Sequence, residues 1–189
     1  EKKIRDRFRP GDSLKGVLDR GGPLLIAVPH SALMESLTLI PLIFPEAPHI
    51  HALYRPLEIS AAERYVRDAR ERWGMHLLSR RNGLLAAKQA LTARGEAVGM
   101  GFDQSAGHRG HLTLFFDRVC STSNLAGLLG AKTAARPVFL HVRREGFWKG
   151  IVEGRTMPKP DSPEDLVIRL AEGLEQYLRE DDENCAGWL

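Results

Sequence analysis

Five consecutive apolar residues, Leu24–Val28, stand between a Gly-Gly pair and Pro29. The run is too short for a helix and is closed at both ends by residues that cannot extend one, so it reads as a buried strand. His30 follows directly, and Glu35 five residues later, at the start of a mostly apolar stretch, residues 35–44, that reads as a helix. α/β proteins place their chemistry outside the carboxyl ends of their strands. In such a turn Glu35 sits about one helical turn in, so its carboxylate is expected to lean back toward the imidazole. The spacing alone is weak: with 7 His and 24 Asp and Glu among 189 residues, a His followed by an acid five positions on arises by chance about once. The weight comes from its place after a strand.

The rest of the chain alternates in the same way. Residues 49–56 read as a second strand ending at Arg55-Pro56, and residues 58–73 as an amphipathic helix with Ile59, Ala62, Tyr65, Val66, Ala69 and Trp73 on one face. A third strand at 75–78 leads into the turn 79–83, and a helix at 84–93 follows. A fourth strand, 97–102, delivers Asp103 and Gln104 to a glycine-rich loop and an apolar segment, 112–116. A helix is expected over 121–131 and a strand over 137–142. A turn at 143–146 then opens an edge hairpin, and a final helix to about Glu180 is capped at Ser162. This order predicts one α/β domain over 1–189, with a mostly parallel sheet flanked by helices.

In a parallel sheet the strand ends share one rim. His30, Arg55, Arg80, Arg81, Asp103 and Gln104 are therefore expected to converge there. A histidine held by a carboxylate is a general base, and an arginine fork binds two oxygens of a phosphate or carboxylate. No G-x-S-x-G, Walker loop or G-x-G-x-x-G follows a strand, so serine-nucleophile and nucleotide chemistry lack support. His49, His51, His108 and His111 stand in separate segments without a metal-ligand spacing, and no metal or cofactor is expected. Sparse aromatics, not interleaved with the basic residues, count against nucleic acid.

The net charge of +3 suits anionic partners. Cys120 and Cys185 are expected as reduced packing groups. The basic segment 1–14 reads as a short surface helix ended by Pro10-Gly11. Its Lys2, Lys3, Arg5, Arg7 and Arg9, with Ile4, Phe8 and the apolar run 37–44, make a candidate edge for an anionic membrane.

The blocks LLIAVPHSALMESL, HALYRPLE, LLSRRNGLLAAKQAL, RGEAVGMGFDQSAGHRGHLTLFFDRVCSTSNLAGLL and ARPVFLHVRREG, in this order, resemble the late acyltransferases of lipid A biosynthesis, the lauroyl/myristoyl type. These are similar to the glycerolipid acyltransferases that share a His-x4-Asp/Glu motif, and the closing ENCAGWL matches as well. The resemblance implies a glycerol-3-phosphate acyltransferase-like fold. It also implies transfer of a fatty acyl chain from a thioester of acyl carrier protein or coenzyme A to a hydroxyl of a membrane lipid. His30 would be the base and Glu35 its orienting carboxylate. Arg70, on the amphipathic helix, and Asp103 fall where the family has functional polar residues, and Arg55 and Arg80 match its YRP and arginine-containing blocks. An N-terminal membrane anchor preceding residue 1 and a place at the cytoplasmic face of the inner membrane are implied too. SALME stands where the family commonly has a stretch such as LGNWE, and Phe102 where it commonly has proline. These departures leave lipid A precursors, other glycolipids and lysophospholipids open as acceptors, and a non-catalytic lipid-binding role open as the alternative to catalysis.

Overall fold

A computed structural model describes residues 1–31 and 33–180; the ENCAGWL segment and its Cys185 lie outside the described residues. In chain order the elements are α1 (Lys2–Arg5), β1 (Phe8–Pro10), α2 (Asp12–Leu18) and β2 (Leu24–Val28). A 3-10 helix, Met34–Leu39, then leads into α3 (Ile40–Ile43), β3 (Ile50–Tyr54), α4 (Ser60–Glu71), β4 (His76–Ser79) and α5 (Leu84–Gln89). After a π-helical turn, Ala90–Arg94, come β5 (Ala97–Gly101), β6 (His111–Phe115), β7 (Arg118–Thr122), α6 (Leu125–Ala131), β8 (Arg136–Gly146), β9 (Lys149–Thr156) and α7 (Pro163–Glu180). Seven strands form one sheet in the order β1-β9-β8-β2-β5-β3-β4, while β6 and β7 form a separate ribbon. Every neighbouring pair in the large sheet is parallel except β8–β9.

β2 lies at the centre of the sheet, with three strands on either side. Leu25 and Ala27 point into a layer built with Leu166, Leu170 and Leu174 of α7. Leu24 and Ile26 point the other way, into a layer with Leu14 and Val17 of α2 and with Leu37, Ile40 and Ile43. Both faces being covered, the strand reads as an unbroken apolar run rather than an alternating one. Each such Leu or Ile, fully buried, contributes roughly 1.5–3 kcal/mol.

Several expectations change. The stretch 35–44 is a 3-10 helix followed by a single α-turn. Pro41 explains the break, since its ring would clash with the carbonyl four residues back in a continuous α-helix yet fits the first turn of a new one. Ser36 and Thr38 also turn their hydroxyls back on Leu33 O and Glu35 O, which favours turns over helix interiors. The expected helix over 121–131 begins only at Leu125. Residues 111–122 pair instead as β6 and β7, reversing at Phe116 and Asp117, both in the left-handed region with φ of 48° and 60°. That conformation matches a primed hairpin turn. Cys120, in β7, is a half-buried free thiol.

The hairpin after β8 turns at Phe147-Trp148 rather than at 143–146, and it is not an edge, because β1 pairs with the outer side of β9. β1 also revises the N-terminal segment: α1 ends at Arg5, and Phe8 is a buried strand residue. Leu37, Ile40, Leu42 and Ile43 are buried too, and Ile4 packs against the same layer. The apolar side chains assigned to a membrane edge are therefore consumed by the core.

Candidate active site

The parallel register explains how residues far apart in sequence meet. Val28 of β2 is level with Gly101 of β5. Two residues beyond each stand His30 and Asp103, so the two chains leave the sheet side by side. The His30 backbone N–H donates to Asp103 Oδ2 at 2.8 Å, and the ring Nδ1 lies 2.5 Å from Asp103 Oδ1. An ionised carboxylate can only accept, so the neutral ring carries its proton on Nδ1 and presents a lone pair at Nε2.

The Asp103 side chain is 2% exposed, whereas His30 is 37% exposed. The contact raises the imidazole above its ordinary value: the hydrogen bond to Asp103 is the largest cause, opposed by burial and reinforced by the charges of Asp103 and Glu35. Gly101 makes room for the ring. A Cβ there would stand 2.5 Å from His30 Cε1, so only glycine lets the imidazole lie against β5.

The expected His30–Glu35 contact is absent. Glu35 is held instead by Arg70, whose Nε donates to Oε2 at 3.0 Å and whose Nη2 donates to Oε1. The 3-10 winding after His30 and the arrival of α4 overhead turn the Glu35 carboxylate outward, and it is 61% exposed. Arg70 projects from a helix with no buried residue among those described. α4 is fastened by polar contacts: Glu63 accepts from Tyr54 Oη and from the Leu57 N–H at 2.8 Å, and Arg67 donates to Tyr54 Oη at 2.6 Å. The Glu71 carboxylate also accepts from the Leu77 N–H at 2.9 Å. Burial and the Glu63 carboxylate push the Tyr54 hydroxyl up, and the Tyr54 bond holds Glu63 below the usual range.

His30, Glu35, Arg55, Arg70, Arg80 and Gln104 all line one cavity of about 410 Å³. Its deeper walls are Ile26, Leu37, Ile40, Ile50, Met75 and Leu140, and Gly99 and Gly101 leave the β5 side free of side chains. The mouth is thus cationic and the depth apolar. Arg81 is not part of the lining; its N–H turns to Ser79 Oγ at 3.3 Å on the exposed turn after β4. Asp103 lies behind the ring and borders a second cavity, of about 420 Å³, with Thr113, Cys120 and Thr122.

The role of Asp103 as the ring's partner was not legible from spacing. Its signal was a lone acid at a strand end, which gains meaning only once β5 is known to neighbour β2. Among the described residues no group of three or more metal-ligating side chains is gathered, and no helix is long and apolar enough to cross a membrane.

The arrangement can take a proton from a hydroxyl beside a cationic mouth and an apolar interior. No curated protein matches the chain. The profile of the bacterial lipid A biosynthesis acyltransferases matches residues 2–185, so the chain belongs to that family of acyl-transferring enzymes.

Proposed function

We propose that this acyltransferase carries a fatty acyl chain from a thioester, on acyl carrier protein or coenzyme A, to a hydroxyl of a phosphorylated lipid A precursor at an anionic membrane surface. The observation that carries the reading is the His30–Asp103 pair at the mouth of the apolar cavity. Nε2 of His30 accepts the hydroxyl proton as the oxygen attacks the thioester carbonyl, forming the C–O bond. Collapse of the tetrahedral intermediate breaks the C–S bond, and the imidazolium returns its proton to the departing thiolate. Asp103 fixes the tautomer and balances the positive charge on the ring during the step. The apolar walls suit the acyl chain.

Arg55, Arg70 and Arg80 face the cavity with forks suited to phosphate, and Glu35 holds the Arg70 fork in place. Gln104 adds a neutral hydrogen-bonding group at the same mouth, while Arg81 and the basic N-terminal segment serve the approach of anionic partners.

The test is a purified-protein assay with both thioester donors and a lipid A precursor, with and without its phosphates. We expect thiol release matched by a lipid product heavier by one acyl chain, and weaker saturation without phosphate. Thiol release without acylated lipid would make the protein a thioesterase and overturn the reading.

A second measurement probes the ring's seat. Gly101→Ala should push His30 off β5 and lower kcat/KM by about 10²-fold, while the melting temperature changes little. Unchanged kcat/KM would show that the ring position does not matter.

A further inference from the structure

Two large aromatic side chains stand exposed beyond the sheet edge that carries His30. At the tip of the β8–β9 ribbon Phe147 and Trp148 are 77% and 56% exposed, with their rings in edge contact, centroids 5.7 Å apart. They are the two residues enclosed by the last ladder pair, Gly146 and Lys149. Two-residue hairpin loops ordinarily carry Asn, Asp or Gly, so two large aromatics there follow from nothing in the turn.

β8 is parallel to β2, with Leu24 level with Arg136 and Ala27 level with Phe139. The tip therefore leaves the sheet at the same edge as His30. The six residue steps from Leu140 to Gly146, at about 3.3 Å each, carry it roughly 20 Å past the end of β2. The flanks are basic. Lys149 is exposed and Arg144 half-exposed, and the exposed Arg7 accepts the Gly150 N–H through its carbonyl at 2.9 Å. The nearby acid Glu145 is engaged by Arg9 at 3.3 Å, with Arg143 at 4.0 Å.

Two rings on a ribbon tip offer about 150–250 Å² each. A stable protein interface needs about 800 Å² per partner, so a protein partner is disfavoured. Phe and Trp flanked by cations match the interfacial region of a bilayer with anionic head groups.

We propose that the β8–β9 tip is a bilayer-docking finger, in which Phe147 and Trp148 enter the interface of an anionic membrane and Arg144 and Lys149 meet its phosphates. Inserted by about 5–10 Å, the finger would hold the His30 rim facing the lipid. The finger shares with the proposed function the lipid surface alone and does not depend on the chemical step.

The chain has three tryptophans; replacing Trp73 and Trp188 by phenylalanine leaves Trp148 as the reporter with the tip intact. Titrated with vesicles of equal phosphatidylglycerol and phosphatidylcholine, Trp148 should shift to the blue and be quenched by lipids brominated near the head group. Both effects should fade as salt rises and be weak on pure phosphatidylcholine. Phe147→Ser with Trp148→Ser should weaken co-sedimentation by about tenfold or more, and Arg144→Glu or Lys149→Glu by roughly fivefold each.

Co-sedimentation with Trp148 unshifted would place the docking surface elsewhere and overturn the proposal, as would no binding to anionic vesicles. Transfer to an acceptor dispersed in detergent should be unchanged by the double serine variant, while transfer to the same acceptor in vesicles should fall. Wild-type protein that docks through Trp148 but transfers nothing in detergent would defeat the chemistry and leave the finger standing.

Discussion

His30→Ala should lower acyl transfer by about 10²–10⁴-fold while the protein stays folded. The ring is a third exposed and sits at the end of β2 rather than within either apolar layer, so its loss opens no core cavity. Removing it leaves Nε2 without a substitute, because the nearest carboxylate, Asp103, is enclosed behind it. Thiol release and lipid product should fall together in single-turnover measurements, with the circular dichroism spectrum unchanged. Near-normal transfer by the variant would remove His30 from the mechanism.

Asp103→Asn should be the next most damaging change, greater than Glu35→Gln, and it should carry a pH signature. In the wild type the base form of His30 appears only as pH rises through a value above the ordinary 6.5, because Asp103 favours the imidazolium. The same linkage makes the His30–Asp103 contact contribute stability below pH 6.5 and lose it as pH climbs through the raised value. The asparagine removes the hydrogen bond to a charged acceptor and the charge itself, so the acid limb of kcat/KM should move to lower pH. The plateau should fall, by about 10²-fold or more, because a neutral amide neither fixes the tautomer nor balances the imidazolium. Glu35→Gln should shift the limb less, its charge being a smaller cause and further screened by solvent. An acid limb that stays in place in Asp103→Asn would show that the two side chains are not paired in solution.

The central strand was legible because burial on both faces leaves an uninterrupted apolar signature in Leu24–Val28. The rim was legible for the same reason: parallel strands end together, and His30, Arg55, Arg80 and Gln104 do share one cavity. What spacing could not give was strand order. Sequence distance favoured Glu35 for the imidazole, yet register favours Asp103, 73 residues away, because β5 and not β3 lies beside β2.

Local rules were outvoted elsewhere. Phe8–Pro10 carries a proline and charged neighbours, and reads as a strand only because β9 offers it an edge. The ribbon of β6 and β7 hid behind Phe116-Asp117, a turn made without glycine. Nor did the periodicity of residues 58–73 foretell that α4 buries no side chain of its own and is held by Tyr54, Glu63, Arg67 and Glu71.

The pairing of β1 with β9 bears on how copies of this chain avoid one another. The sheet ends in strands of three and four residues, β1 and β4, too short to template a neighbour, and Pro10 withholds one donor from the outer side. Beneath β1 lies the eight-residue β9, with Ile151 and Val152 at its heart. Fraying of β1 would uncover the Gly150–Val152 stretch of β9, with the apolar Ile151 and Val152, to strand addition from another molecule. That edge is thus guarded by the smallest strand in the fold, whose local opening costs far less than global unfolding.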